Sequence, residues 1–345
     1  MRKFIRLAIL VAIVGFTACT ADTEPTELAE NLQVLEEWEN SGYITIGGER
    51  FSTELTHLDL AFSNLTNVDI LPLVYMVNLE GLHLNDNQIS DISPISELEY
   101  LRFLHLDNNQ ISDISSLVNL PNLSILTLSQ NQISDLTPLA NLSNLIELWL
   151  EGNQISNITL FVGAGLHELQ TLHLANNQIS DLAPLAELEN LLILGLNGNQ
   201  ISDITPLADF PVLWDLRLSE NQISDITVFA KRGDVEFLSL DNNQISDITP
   251  LAGLKWLEYL SLRNNAISDI SPIANLLNLR RLFLDNNQIS DISPLTDLER
   301  LIWLEIYDNP VTDWSPLDNM RGREHTTIHG IPQKIRLGNF RIFKP

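Results

Sequence analysis

Seven apolar positions, held in one repeat by Leu79, Leu82, Leu84, Ile89, Ile92, Ile95 and Leu98, return along most of this chain with a period of 22 residues. Leu82 and Leu84 alternate with His83, which is the period of a strand with one face buried. The words Asn87-Gln88-Ile89-Ser90-Asp91-Ile92-Ser93-Pro94 come back almost unchanged, down to Asn309. A fixed period of this length marks one small supersecondary unit stacked many times. Twelve units begin at Leu55, Leu79, Leu101, Leu123, Leu145, Leu169, Leu191, Leu213, Val235, Leu257, Leu279 and Leu301; the first and fifth are two residues longer than the rest. One unit cannot fold alone, because ordering each residue costs about 1–2 kcal/mol and a single layer buries too little to offset it. Stacking predicts a parallel sheet lining one side.

The polar residues that repeat have structural explanations. Asparagine holds the ninth position of eleven units, Asn87 through Asn309, with Ser63 the exception. A buried amide there is expected to satisfy backbone groups of its own and the next layer. Ser or Thr at the fifteenth position followed by Pro, as in Ser93-Pro94 and Thr137-Pro138, predicts a capped helical turn on the convex side. Ten units carry Asp at the thirteenth position, Asp91 to Asp313. Like charges about 5 Å apart repel unless each accepts local backbone hydrogen bonds. A calcium ladder is the sharper alternative, but a turn-forming Asp needs no ion.

The pattern Leu-x-x-Leu-x-Leu-x-x-Asn-x-Ile-x-Asp-Ile-x-Pro-Leu over residues 55–322 resembles the leucine-rich repeats of the bacterial internalins. The resemblance implies an α/β fold class: a curved right-handed solenoid, with a parallel sheet on the concave face and short 3-10 or turn segments on the convex face. It also implies that the concave face binds other proteins.

The ends differ from the repeats. Met1 to Arg6 is basic and Leu7 to Phe16 apolar, the layout of a secretory signal. Phe16-Thr17-Ala18-Cys19 resembles the bacterial lipoprotein box, departing from it at Phe16, where Leu is usual. The resemblance implies a signal peptide over 1–18, lipidation of Cys19 and, with Thr20 behind it, export to an outer membrane. Ordinary cleavage after Ala21 is the alternative and gives a secreted protein. Residues 19–25 read as a tether and 26–54 as an amino-terminal cap. Within that cap, Thr26 starts a helix bearing Leu28, Leu32, Leu35 and Trp38, and Tyr43–Ile46, Gly47-Gly48 and Arg50-Phe51 read as strand, turn and return. Residues 323–345 are expected to close the other end with a hairpin, Lys334–Leu337 and Phe340–Phe343 around Gly338-Asn339.

Charge narrows the partners. The chain carries 19 basic and 45 acidic residues, net −26, and loss of Arg2, Lys3 and Arg6 with the signal leaves 16 − 45 = −29. Such a surface repels phosphate backbones and anionic lipid, so nucleic acid is excluded and a membrane is reached only through the lipid. With one cysteine, no internal disulfide forms.

Function belongs to the positions the repeat leaves free, those flanking the strand leucines. From the eighth repeat on these are Asp215, Arg217, Phe237, Asp241, Tyr259, Arg263, Arg281, Phe283, Trp303, Glu305 and Tyr307, the mixture of aromatics, Arg and acids found in protein-binding hot spots. Cross-strand packing is the plainer reading of the same rings. Phe103, Glu147 and Trp149 suggest an extension or a second patch. Asp59, His83 and His105 share a column, with His57 and His173 on the same sheet, so a zinc site is conceivable, though solvated histidines are commoner. No phosphate loop or metalloprotease helix is present. The reading is a non-enzymatic, lipid-anchored, extracytoplasmic monomer without cofactor that binds a protein; a structural envelope protein that binds glycan or self-associates is the alternative.

Overall fold

The computed structural model describes residues 41–320 and 326–330. The helix expected before residue 41, Cys19 and the hairpin expected over 334–343 lie outside the described residues. The chain divides into two compact units, the first reaching Gln154 and including Ala164–Glu168, the second comprising Ile155–Gly163 and everything from Leu169.

The first unit opens with an antiparallel hairpin of β1 (Tyr43–Ile46) and β2 (Glu49–Ser52), turning at Gly47-Gly48 where φ is +56° and +85°. Ile44 and Ile46 alternate inward with exposed Tyr43 and Thr45, as the sequence predicts. Five parallel strands follow, β3 (His57–Asp59), β4 (Gly81–His83), β5 (Phe103–His105), β6 (Ile125–Thr127) and β7 (Glu147–Trp149). Their register aligns Leu58, Leu82, Leu104, Leu126 and Leu148. The second unit pairs eight more in sequence order: β8 (Thr171–His173), β9 (Ile193–Gly195), β10 (Asp215–Arg217), β11 (Phe237–Ser239), β12 (Tyr259–Ser261), β13 (Arg281–Phe283), β14 (Trp303–Glu305) and β15 (Thr327–His329). A leucine occupies the middle of each strand but the last, where Ile328 takes its place. These central residues are buried, and each is worth about 1.5–3 kcal/mol in removal from water. β15 is an addition: the sequence pattern decays after Leu317, yet Thr327–His329 continues the ladder in parallel.

The return leg of each repeat is a 3-10 segment of three to six residues, such as Ser93–Ile95 and Ser271–Asn275. The turns form by a different device from the one the sequence suggested. In the second to eleventh repeats the residue before the segment is the fourteenth, an Ile or Leu, and it makes no side-chain cap bond. Instead the Asp at the thirteenth position reaches forward, Asp91 Oδ1 accepting from the Ser93 N–H at 2.8 Å and Asp203 Oδ1 from Thr205 at 2.8 Å. The Ser or Thr is what gets capped, and its hydroxyl adds a second bond in Thr205 to Asp203 at 2.7 Å. These bonds answer the stacking problem: the carboxylates of Asp113, Asp135, Asp203, Asp247, Asp291 and Asp313 are held below the ordinary carboxylate range by hydrogen bonds from the next Ser or Thr.

The asparagine ladder ties each layer to the one before it rather than the one after. Asn109 Oδ1 accepts from Ile89 N–H at 3.0 Å, and its Nδ2 donates to Leu84 O at 2.9 Å in the preceding repeat and to Leu106 and Asp107 in its own. Asn131 repeats the arrangement with Ile111, Leu106, Leu128 and Ser129. One position earlier, every repeat passes through a left-handed residue, among them Asn108, Gln130, Gly152, Gly198, Asn242 and Asn286. Small polar residues and glycine tolerate that region. Phe62 occupies it in the first repeat at φ +56°, with 76% of its surface exposed. Nothing in the structure explains a ring there.

The twentieth position is otherwise apolar, as at Leu98, Leu188 and Leu254, but Arg232 fills it in the eighth repeat and is 5% exposed. Its guanidinium donates to Leu207 O at 2.7 Å and pairs with Asp234 at 2.5 Å. In the fifth repeat the two added residues follow Thr159–Phe161, where Gly163 and Gly165 both take positive φ.

Candidate protein-binding face

Each three-residue strand of the ladder buries its central residue, the fourth of the repeat, and the repeat's third and fifth residues turn to the outer side of the sheet. The seventh residue, just past the strand, belongs to the same side. In the second unit this side carries a connected series of rings and charges. Arg217 grips Asp215 through two bonds, Nε to Oδ1 at 3.0 Å and Nη2 to Oδ2 at 2.8 Å, both residues coming from β10. Its guanidinium lies 5.2 Å from the Phe237 ring centre. Phe237 stacks on Tyr259 at 3.9 Å with 8° between planes, and Tyr259 meets Phe283 at 5.2 Å and 43°. Arg263 lies 4.1 Å over Phe283. In-register parallel strands place equivalent side chains about 5 Å apart, so a ring at one position stacks on a ring at the next.

Arg263 is also the hub of an ion network. It reaches Asp285 at 2.9 Å, Glu305 at 2.7 Å and Asp241 at 3.8 Å. Burial pushes the Asp241 and Asp285 carboxyls above the usual range, against the opposing pull of Ser261 and Arg263 on the first and of the Tyr307 N–H and Arg263 on the second. Burial also acts on Glu305, but the Arg263 and Trp303 hydrogen bonds outweigh it and hold that carboxyl low. Trp303 donates to Glu305 Oε1 at 2.8 Å and faces His329 at 5.0 Å, with Tyr307 at 6.2 Å from the same imidazole. His329 belongs to β15 and was not foreseen in this site.

The structure therefore brings together Arg217, Phe237, Tyr259, Phe283, Arg263, Glu305, Trp303 and Tyr307 as one chain of contacts. It also divides them by role. Phe283 is 8% exposed and supports its neighbours from beneath, while Trp303 is 36% exposed. Asp241 and Asp285 work inward, Asp241 Oδ1 accepting from Arg263 N–H at 2.7 Å and Asp285 Oδ1 from Tyr307 N–H at 2.7 Å. Arg281 is exposed on β13 and takes part in no ion pair with a described residue. Phe103, under Arg102 at 5.5 Å, and Trp149 belong to the first unit, on β5 and β7 with β6 between them.

The histidine column of the first unit is a packing contact. His83 and His105 approach to 4.4 Å between ring centres, and His105 Nδ1 bonds Thr127 Oγ1 at 3.2 Å. Burial and then His83 lower the His105 pKa. Asp59 Oδ1 accepts from Ala61 N–H at 3.0 Å. Among the described residues no group of three or more His, Cys, Asp and Glu is placed to hold a metal ion, either here with Asp59, His83 and His105 or along the Asp turns.

Sequence reasoning confined to the strand flanks missed the rim where the strands begin. There the second residues of five repeats, Trp214, Glu236, Glu258, Arg280 and Ile302, join Phe237, Tyr259 and Arg281 around a groove of about 340 Å³. A signal existed, since Trp214 stands in a column that elsewhere holds Thr56, Glu80, Arg102 and Ser124. The first unit has its own rim groove, about 610 Å³, lined by Glu80, Tyr100, Arg102 and Ile146 among others.

This strand-turn-asparagine geometry has known relatives. Residues 77–119, 101–141, 121–166, 143–187, 167–209, 234–275 and 277–319 match the family model described as Leucine Rich repeats (2 copies). An internalin of Listeria monocytogenes is 34% identical over 79% of this chain and 88% of its own, with a TM-score of 0.67. The chain is an internalin-type leucine-rich repeat protein. A leucine-rich repeat protein of Leptospira interrogans shares the fold at 21% identity, TM-score 0.67, over 89% of this chain and 87% of that one. The ectodomain of a plant membrane receptor kinase from Arabidopsis thaliana, solved in complex with Casparian strip integrity factor 2, shares it at 24% identity, TM-score 0.61, over 74% of this chain and 33% of that one. No curated protein sequence matches the chain. In this leucine-rich repeat protein the recurring Asn and Asp are scaffold, and the outer sheet side is where one repeat differs from the next.

Proposed function

We propose that this leucine-rich repeat protein is a non-enzymatic, extracytoplasmic binding module, held to a membrane by lipid on Cys19, that recognises a protein partner through the outer sheet side of its second unit. The observation that carries the reading is the run of rings from Phe237 to Trp303, locked by stacking and by the Arg263 network. Side chains already fixed by their neighbours lose little freedom on binding, so more of the contact energy is kept as affinity. Internalin kinship supports the same reading, as does a receptor ectodomain of like fold solved with a bound partner. Net charge of −26 argues against nucleic acid as that partner.

The test is capture of a cross-linked partner from intact envelopes by the wild-type chain and by the double variant Trp303→Ala with Tyr307→Ala. Loss of two aromatic anchors is expected to weaken capture by about 30-fold or more. Undiminished capture rejects the sheet-side reading. Intact mass of the exported protein decides the anchor, since an unlipidated chain starting at Asp22 rejects it.

A further inference from the structure

The rim groove of the second unit has a chemistry of its own, and the inference drawn from it rests on the binding role above while extending it past the sheet side. Phe237 and Tyr259 form its floor, and their faces are already spent: they cover one another at 3.9 Å, with Arg217 against the far side of Phe237 and Phe283 against Tyr259. What such a stack offers a ligand is ring edge, which carries the positive end of the aromatic quadrupole and attracts acceptors and anions. Trp214, 36% exposed, and Ile302 add apolar wall.

Arg281 stands at this edge. The other three arginines of this surface are committed, Arg217 to Asp215, Arg263 to Asp241, Asp285 and Glu305, and Arg280 to Glu258 at 3.7 Å. Arg281 is exposed and has no carboxylate partner among the described residues. The groove lining holds two arginines and two glutamates, so it is neutral within a strongly anionic molecule. Guanidinium in a fixed fork is the side chain best shaped for a carboxylate.

We propose that the groove takes a peptide segment of the partner in which an Asp or Glu side chain lies next to apolar residues, with the carboxylate on Arg281, the apolar neighbours against Trp214 and Ile302, and the segment's N–H donors free to use Glu236. A saccharide is the poorer fit, because a sugar ring stacks on aromatic faces and the groove leaves it Trp214 alone, the floor offering ring edges. A basic segment is the poorer fit because the exposed cation would repel it.

The test is selection of a random peptide library displayed on phage against the full chain, against Arg281→Gln, and against Arg300→Gln as a control that removes an equally exposed charge outside the groove. Wild type and Arg300→Gln are expected to enrich peptides carrying an acid within an apolar run, with enrichment down roughly tenfold or more on Arg281→Gln, the scale of losing one charge-assisted contact. Quenching of tryptophan fluorescence by the synthetic winning peptide, and its loss in a Gln-for-acid version, give a second readout. Unchanged melting confirms that each variant folds. Peptides lacking acids, selection indifferent to Arg281, no enrichment, or binding of polygalacturonate in place of peptides each overturn the proposal. The Trp303→Ala, Tyr307→Ala variant removes no residue that lines the groove, so retained peptide selection with lost partner capture, or the reverse, separates failure of one reading from failure of the other.

Discussion

Three carboxylates, Asp241, Asp285 and Glu305, share the guanidinium of Arg263, and all four groups are largely withdrawn from water. The sign of the pH effect follows from their pKa shifts. A carboxyl raised in the folded state, as Asp241 and Asp285 are by burial, stabilises the fold while protonated and loses that contribution as pH climbs through the raised value. Arg263 limits the loss by favouring the ionised forms. Arg263→Met removes that restraint and frees the carboxylates to climb further. The variant is therefore expected to melt close to wild type near about pH 4 and to fall progressively below it toward about pH 7. Thermal melts across that range check it, and a gap that does not widen with pH counts against the network. The cross-strand ring contacts at these same residues show why the plainer reading of the sequence, packing, and the functional one are compatible: Phe283 packs so that Tyr259 and Arg263 can be held.

The 3-10 turn is the element in which local sequence came nearest to deciding structure, and also the one where it misled. Ser-Pro and Thr-Pro pairs announce a helical start, and they stand where the segments begin. The capping group, however, is the Asp two residues before: its local backbone hydrogen bonds were legible as the answer to the stacked charges, but the cap itself was assigned to the Ser or Thr. For an exposed carboxyl held low by hydrogen bonds, stabilisation is present above its ordinary pKa and vanishes as pH falls through the folded value. Asp135→Ala is thus expected to lower the melting temperature at neutral pH, by an amount that shrinks as pH falls through the lowered carboxyl value. Strands were legible from the alternation around Leu82, and the asparagine ladder from its period. The rim groove was not, because residues such as Trp214 and Arg281 acquire a common meaning only when neighbouring strands set them side by side. β15 was hidden for the opposite reason: Thr327–His329 has lost the repeat's words and is kept in the ladder by backbone pairing.

Across the whole chain, twelve repeats of nearly one wording raise a difficulty that a globular protein of varied sequence does not meet. Every strand of the ladder is a plausible neighbour for many others, so a layer that docks one repeat too early makes almost all the right contacts. Arg232 breaks that degeneracy. Its guanidinium is satisfied by Asp234 of its own repeat and by Leu207 O of the layer before, and that layer carries Phe210 where no other repeat has a ring, so a displaced layer would set a side chain of another shape beside Arg232. Arg232→Leu restores the common wording and, as often when a buried ion pair gives way to an apolar side chain, is expected to leave equilibrium stability unchanged or slightly higher. Its refolding yield from denaturant should nonetheless drop, with more protein trapped in mispaired or aggregated forms, and yields equal to wild type would show that the register is fixed elsewhere. The lone arginine in a column of leucines then acts as a page number in a book of near-identical pages, costing the finished protein something so that the leaves are bound in order.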